Sequence, residues 1–367
     1  MSGFVPPPYP QDRLRPLAKV CETHDGGMVN LSIGAPYVPP PQLLMDKLDD
    51  PTSAMKYPAS VGSQDFRTAA ANWLTGLGAV DLTSSGVGAS VGSKEFVASL
   101  PGFLKLRIPT KSTILYPAIS YPTYAMGAQL GSCKAVPVST NELGQMDLST
   151  IAQSDIDDAL CLWVNTPNNP TGSIEDLEAI VQWGRANNVL VVSDECYIEF
   201  TWSQDAETAL KLGTDGVLAV HSLSKRSNFA GLRSGFYAGD SDIVDYLSEV
   251  RKHAGLMQPG PVQLAATTAF GDSEHVVQQR GMYKSNMERL ISILGNIGVV
   301  AEMPGGGFYL WVKASQGSDW DFAELLAEKL GMLVIPGSLY GEAGSGHIRI
   351  AAVTTPAQLE LLEARSS

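Results

Sequence analysis

Residues 221–236 read HSLSKRSNFAGLRSGF, which sets one lysine, Lys225, among hydroxyls and ahead of an arginine, Arg233. Two kinds of chemistry suit a lysine in that company. It can hold an anion as a point charge, or, if desolvation and neighbouring cations lower its pKa, its amine can attack a carbonyl and form a Schiff base. Ser222, Ser224 and Arg233 favour a phosphate close to it. A solvated basic turn at Lys225-Arg226 is the plain alternative. The flanking elements bear on the choice, because the apolar run 216–221 reads as a buried strand of a parallel sheet and 234–239 as another strand. Lys225 then sits just past a strand's carboxyl end, where open α/β sheets take their ligands.

Other strand ends carry groups of the same kind. The apolar run 189–193 enters Asp194-Glu195-Cys196-Tyr197. A carboxylate at the end of so apolar a strand needs a partner, either a buried cation or a protonated ring nitrogen. The run 159–164 ends in NTPNNPTG, a turn whose asparagines, Asn169 among them, also offer neutral donors to a ligand. A βαβ unit follows from strand 113–116, a helix and strand 134–138, and its first loop, SYPTY, carries Tyr121. That ring either stacks on a planar ligand or packs as a buried tyrosine.

The run GVGASVGSKEF at 86–96 precedes a helical pattern at Phe96, Leu100, Phe103 and Leu104. Gly92, Ser93 and Lys94 either cradle a phosphate on free N–H groups or simply cap that helix. The glycine spacing is not a dinucleotide fingerprint, no buried strand is read before it, and the GK[ST] of a P-loop is missing. Tyr57 lies in a loop ahead of a helix expected at 64–75. Gly34 ends a short strand expected at 29–34, and there it either lets a ligand approach the backbone or makes a turn.

Composition bounds the ligand. The chain has 367 residues, 44% hydrophobic and 17% charged, with 25 Lys and Arg against 38 Asp and Glu for a formal charge of −13. So acidic a chain repels nucleic-acid backbones and anionic membranes, and an anionic ligand has to be held by local cations. Cys21, Cys133, Cys161 and Cys196 form no CxxC or Cys/His pattern, which argues for reduced packing residues and against a metal site. No signal peptide or membrane-length apolar run is present, so a cytoplasmic, soluble protein is expected. Residues 3–10 are proline-rich and read as an extended arm. Helices are expected at 174–187, 242–253, 260–270 and 275–296. The last part mixes a strand at 305–312, a helix at 322–330, and runs at 332–336 and 346–352, the pattern of a small α+β domain.

Taken in order, Gly34, Tyr57, Gly92-Ser93-Lys94, Tyr121 in SYPTY, NNPTG, DECY, Ser222-x-x-Lys225, Arg233 eight residues on, and Arg349 make the chain resemble the fold type I aminotransferases that use pyridoxal 5′-phosphate. The resemblance covers nearly the whole chain. It implies an α/β fold with a large α/β/α domain on a mostly parallel sheet and a small α+β domain. The expected boundaries are 43–282 for the large domain, and 1–42 with 283–367 for the small one.

It implies roles as well. Lys225 would be the Schiff-base lysine and move the proton at the substrate Cα. Asp194 would pair with the ring nitrogen, Asn169 and Tyr197 with the phenolic oxygen, and Tyr121 with the ring face. Ser93, Lys94, Ser222, Ser224 and Arg233 would hold the phosphate, joined by Tyr57 of a second subunit in a homodimer. Arg349, with Gly34 and Asn169, would hold the substrate α-carboxylate.

Within that family GSKEF, SYPTY, VVSDECY, LAVHSLSK, VRKHAG and YLWV are similar to actinobacterial N-succinyldiaminopimelate aminotransferases. The implied reaction exchanges an amino group between N-succinyl-LL-2,6-diaminopimelate and 2-oxoglutarate, in lysine and diaminopimelate biosynthesis. Arg251, Lys252 and His253 are candidates for a distal carboxylate of that substrate, or else complete a helix end. The alternatives are an aspartate, aromatic or kynurenine-type aminotransferase, and a non-catalytic regulator built on the same fold.

Overall fold

A computed structural model of the chain describes residues 4–141, 143–315 and 317–367. It forms two compact units. One has a first segment ending at Gly34 and continues over Met282–Pro304 and Phe308–Ser367; the other is Ala35–Gly281 with Gly305–Gly307. The second break falls inside the helix Glu274–Asn296, so no change of composition marks it. The arm expected at 3–10 begins outside the described residues. Residues 4–9 have no regular structure, and a short 3-10 helix follows at Pro10–Leu14.

The larger unit is built on a seven-stranded sheet. Across it run Val87–Ser90, Gly235–Gly239, Val217–Ser222, Leu190–Asp194, Ala159–Asn165, Thr113–Pro117 and Lys134–Val138. Gly235–Gly239 is antiparallel to both its neighbours, and the other pairings are parallel. Ala159–Asn165 is buried at every position, as a parallel strand covered on both faces must be.

Alternate residues feed two cores. Leu162, Val164 and Ala219 join Phe66, Ile180 and Ala265, which come from helices Gln64–Gly76, Leu177–Asn187 and Gly260–Gly271. Trp163, Val192, Leu218 and Val220 join Phe96, Tyr124 and Leu247 from helices Ser93–Arg107, Thr123–Leu130 and Ser241–His253. Asp194 lies two residues beyond Val192, and Ser222 two beyond Val220. Both therefore face the second group of helices. His221 faces the first group, edge-on to Trp73 and stacked on Phe236.

Three sequence expectations need correction here. Val87–Ser90 is a buried strand, where the Gly/Ser-rich run suggested only the approach to a helix; its small side chains suit a strand over which Tyr237 lies. The strand expected at 29–34 is only Val29–Asn30, paired with Met332–Leu333. The helix expected to start at 174 starts at Leu177, because the Asp176 carboxylate caps it by accepting from the Ala179 N–H.

The smaller unit contains an antiparallel sheet in the order Ile335–Pro336, His347–Ala351, Tyr309–Lys313. Helix Asp319–Leu330 starts with a Ser318/Asp321 capping box and stops at Gly331 in the left-handed region. Helix Pro356–Ser366 closes the chain and carries the same kind of box, at Thr355 and Gln358. The sequence pattern alone does not single out this last helix.

Candidate active site

The carboxyl ends of three neighbouring parallel strands bring the candidate residues together. Asn165 pairs in register with Asp194, and Asp194 with Val220, two residues before Ser222. The Asn165 side chain locks this edge: its Nδ2 donates to the Asp194 carbonyl at 2.8 Å, while its Oδ1 accepts from the Asn169 N–H at 2.8 Å. Asn169 is thereby held over the strand ends and is itself buried.

Asp194 is a buried acid with both carboxylate oxygens engaged. The Tyr124 hydroxyl donates to Oδ2 at 2.7 Å, and the Cys196 N–H to Oδ1 at 3.3 Å. Burial pushes the Asp194 carboxyl above the usual range; hydrogen bonds from Cys196 and Tyr124 and the nearby His221 pull it back. Burial, with Asp194 next to it, pushes the Tyr124 hydroxyl well up, so it stays a donor. Each Asp194 oxygen retains a lone pair, so the carboxylate can still take a cationic N–H.

Cys196 ties this acid to the other candidates. Its thiol, raised by burial and by Asp194, hydrogen-bonds with Ser93 and feels the Lys225 charge. Ser93 and Asp194 thus meet at one side chain. Tyr197 is buried in the following turn, and Tyr121 packs edge-on against Tyr124 with ring centroids 5.9 Å apart.

Lys225 stands on the four-residue helix Leu223–Arg226, capped by the Ser222 hydroxyl, which accepts from the Ser224 N–H at 3.1 Å. The two hydroxyls also meet, Ser222 donating to Ser224 at 2.9 Å. A solvated Lys-Arg turn is not what forms. Arg226 is 3% exposed, with Nε donating to Glu199 at 2.5 Å and Nη1 to the Ala269 carbonyl at 2.6 Å, and Lys225 is half-buried. The Lys225 carbonyl accepts from Gln279 at 2.6 Å.

Beside Gly235, the register partner of Ser222, is the start of helix Ser93–Arg107. Its N-cap, Gly92, has φ +77°, and a Cβ there would run into the Arg233 guanidinium. Glycine is required twice over, by the left-handed backbone and by the close approach. Arg233 is exposed and anchored by Nη1 donating to the Ala230 carbonyl at 2.7 Å. Lys94 is exposed in the first turn, and Tyr57 is 96% exposed in its loop.

In the smaller unit Arg349 is buried between rings, its guanidinium 4.2 Å from the Tyr309 centroid and 5.1 Å from that of Tyr340. Nη2 donates to the Ser32 carbonyl at 2.5 Å. Gly34 belongs to the same cluster, since a Cβ on it would strike the Tyr309 hydroxyl.

The sequence missed Tyr124, whose tie to Asp194 shows only once the helix Thr123–Leu130 is seen to pack on the face Asp194 points to. It also missed Gln258, whose Nε2 donates to the Ser90 and Gly235 carbonyls, both at 2.6 Å, and so joins two strand ends beside the helix start. Arg251 is a correction to the distal-carboxylate expectation. It is 1% exposed and paired with Glu95, with only Lys252 and His253 left exposed at that helix end.

The donor set fits pyridoxal 5′-phosphate on its own terms: a buried carboxylate for a protonated ring nitrogen, a half-buried lysine, and hydroxyls and a guanidinium around a helix N-terminus for a dianion. Fold and donor set together define a fold type I enzyme dependent on that cofactor. The chain belongs to the class I and II aminotransferases, whose family model matches residues 26–365.

A 4-dedimethylamino-4-oxo-anhydrotetracycline transaminase of Streptomyces rimosus is 38% identical, with 98% of each chain covered. An LL-diaminopimelate aminotransferase of Aquifex aeolicus is 31% identical over 92% of this chain and 89% of its own. Among solved structures, an aminotransferase of Neisseria meningitidis superposes with a TM-score of 0.89 at 30% identity, covering 98% of this chain and 97% of its own. The chain is thus an aminotransferase, which sets aside the reading as a non-catalytic regulator. No helix among the described residues is long and apolar enough to cross a membrane.

Proposed function

We propose that this aminotransferase exchanges an amino group between N-succinyl-LL-2,6-diaminopimelate and 2-oxoglutarate, working as a cytoplasmic homodimer. The observation that carries the chemistry is the buried Asp194 carboxylate at its strand's end, held by Tyr124 and Cys196, next to the strand whose Ser222 caps the short helix bearing Lys225. The substrate rests on the phrases GSKEF, SYPTY, VVSDECY and VRKHAG, with support from diaminopimelate aminotransferases among the relatives.

Bound to this chain, pyridoxal 5′-phosphate supplies an electron sink for the amino acid's Cα. Lys225 would hold the cofactor through its amine, and the same amine, once free, would take the proton from the substrate Cα and return one to the product. Asp194, hydrogen-bonded by Tyr124 and Cys196, would face the ring nitrogen and keep a proton on it. Asn169 and Tyr197 donate to the phenolic oxygen, and Tyr121 covers the ring. Ser93, Lys94, Ser222, Ser224 and Arg233 hold the phosphate, and Tyr57 of the partner subunit completes that set. Arg349 takes the substrate α-carboxylate with the Gly34 amide of the same unit, its planar fork fixing the direction in which Cα is presented.

A second reading is favoured by the 38% identity to the Streptomyces rimosus enzyme: amination of a ring ketone on a polycyclic product. A panel of amino donors and ketone acceptors separates the two. Turnover of N-succinyl-diaminopimelate with 2-oxoglutarate, at a kcat/KM well above that of aspartate, phenylalanine, kynurenine or LL-diaminopimelate, supports the proposal. Preference for any of those donors, or for a polycyclic ketone, overturns it.

A further inference from the structure

Glu95, half-buried, and Arg251, fully buried, form an ion pair that the chemistry above does not use. Glu95 is the third residue of helix Ser93–Arg107. Its Oε2 accepts from the Val91 N–H at 3.2 Å and its Oε1 from the Ser99 hydroxyl at 3.0 Å, so one carboxylate ties the turn before the helix to the helix itself. Gly92, with its φ of +77°, lies inside that tie. Arg251 comes from the last turn of helix Ser241–His253 and meets Glu95 with two parallel bonds, Nη1 to Oε1 at 2.9 Å and Nη2 to Oε2 at 2.7 Å. Its guanidinium lies 5.6 Å from the ring centroids of both Phe96 and Tyr237.

The location makes this charge arrangement matter. A helix N-terminus attracts a phosphate through its free N–H groups and its dipole, and a carboxylate in the first turn competes for the same field. A glutamate can serve there as a brace only if its charge is cancelled. Arg251 cancels it from the side away from solvent. Because Arg251 is buried and Glu95 half-buried, loss of the arginine alone leaves a poorly solvated, uncompensated carboxylate, whereas neutralising both partners removes the conflict.

We propose that Glu95 and Arg251 are positioning residues for the cofactor phosphate: Glu95 braces the Val91–Gly92 turn, and Arg251 neutralises Glu95 so that the helix start accepts a dianion. This rests on the phosphate reading of Ser93, Ser222, Ser224 and Arg233. The test is equilibrium binding of pyridoxal 5′-phosphate and of pyridoxal, which lacks the phosphate, to the full chain stripped of cofactor. It compares wild type, Glu95→Gln, Arg251→Met and the double variant, with a thermal melt of each.

Arg251→Met should lose about tenfold or more in affinity for pyridoxal 5′-phosphate while pyridoxal changes less than about threefold, and the double variant should regain most of the loss. A loss equal for both ligands, or a double variant no better than Arg251→Met, makes the pair a structural brace only and overturns the proposal. If Arg251→Met does not fold, Glu95→Gln against the double variant decides. Affinities for the phosphate ligand within about threefold support the proposal, and a further tenfold loss overturns it. Equal wild-type affinity for pyridoxal and its phosphate refutes the phosphate reading itself, a result distinct from any behaviour of the variants.

Discussion

Asp194, in its proposed role at the cofactor ring, is a side chain that works against the fold that carries it. Burial raises its carboxyl pKa from the ordinary 3.8, with hydrogen bonds from Cys196 and Tyr124 only partly offsetting the effect. An acid whose folded pKa lies above its unfolded one takes up a proton on folding. Its favourable contribution is therefore complete below the unfolded value and is lost as pH rises through the folded one. Asp194→Asn, stripped of cofactor, should melt higher than wild type at about pH 8, with the gap closing toward about pH 4, and should lose transamination by about a hundredfold or more. Melting curves and initial rates check both halves, and a variant that melts lower at about pH 8 contradicts the burial argument.

Lys225, Asp194 and Asn169 were legible in the sequence because strand ends in a parallel sheet are ligand positions, and polar residues there stand out against apolar runs. Tyr124 was not, since its meaning depends on which face of a helix meets which face of a strand. Arg251 was misread because nothing in VRKHAG tells a buried guanidinium from an exposed one.

Among the elements, the long apolar strands and the helices with clear periodicity were readable, whereas Val87–Ser90 was hidden by glycine and serine that only a neighbouring tyrosine explains. The segment from Asn165 to the helix Leu177–Asn187 makes its own prediction. Glu175 is buried there, both its oxygens accepting from the Met146 N–H, and burial raises its pKa from 4.5 to about 7. Between those values the folded chain binds more protons than the unfolded one, so stability falls as pH rises across that window. Glu175→Gln keeps an acceptor for Met146 and removes the charge. It should therefore flatten that slope and gain up to about 3 kcal/mol at about pH 8, with little change at about pH 4. Denaturant midpoints at the two pH values read this out, and an unchanged slope in the variant sinks the assignment.

For the molecule entire, a formal charge of −13 means that anionic ligands depend on a few local cations, in the proposed site Lys225, Arg233 and Arg349. The proposed dimer adds Tyr57, whose 96% exposure in a single chain suits a residue that reaches another subunit. Tyr57→Ala should leave the sedimentation of the dimer unchanged and weaken pyridoxal 5′-phosphate binding by about tenfold, the size of one hydrogen bond to a charged group. Monomeric wild-type protein, or unaltered cofactor affinity in the variant, contradicts the shared site.

The central claim is that Lys225 carries the covalent link to the cofactor. Borohydride reduction of the holoenzyme, followed by proteolysis and mass mapping, tests it most directly. The pyridoxyl label should lie on the peptide containing Ser224-Lys225-Arg226, whereas a label fixed on any other lysine, or none at all, contradicts the assignment.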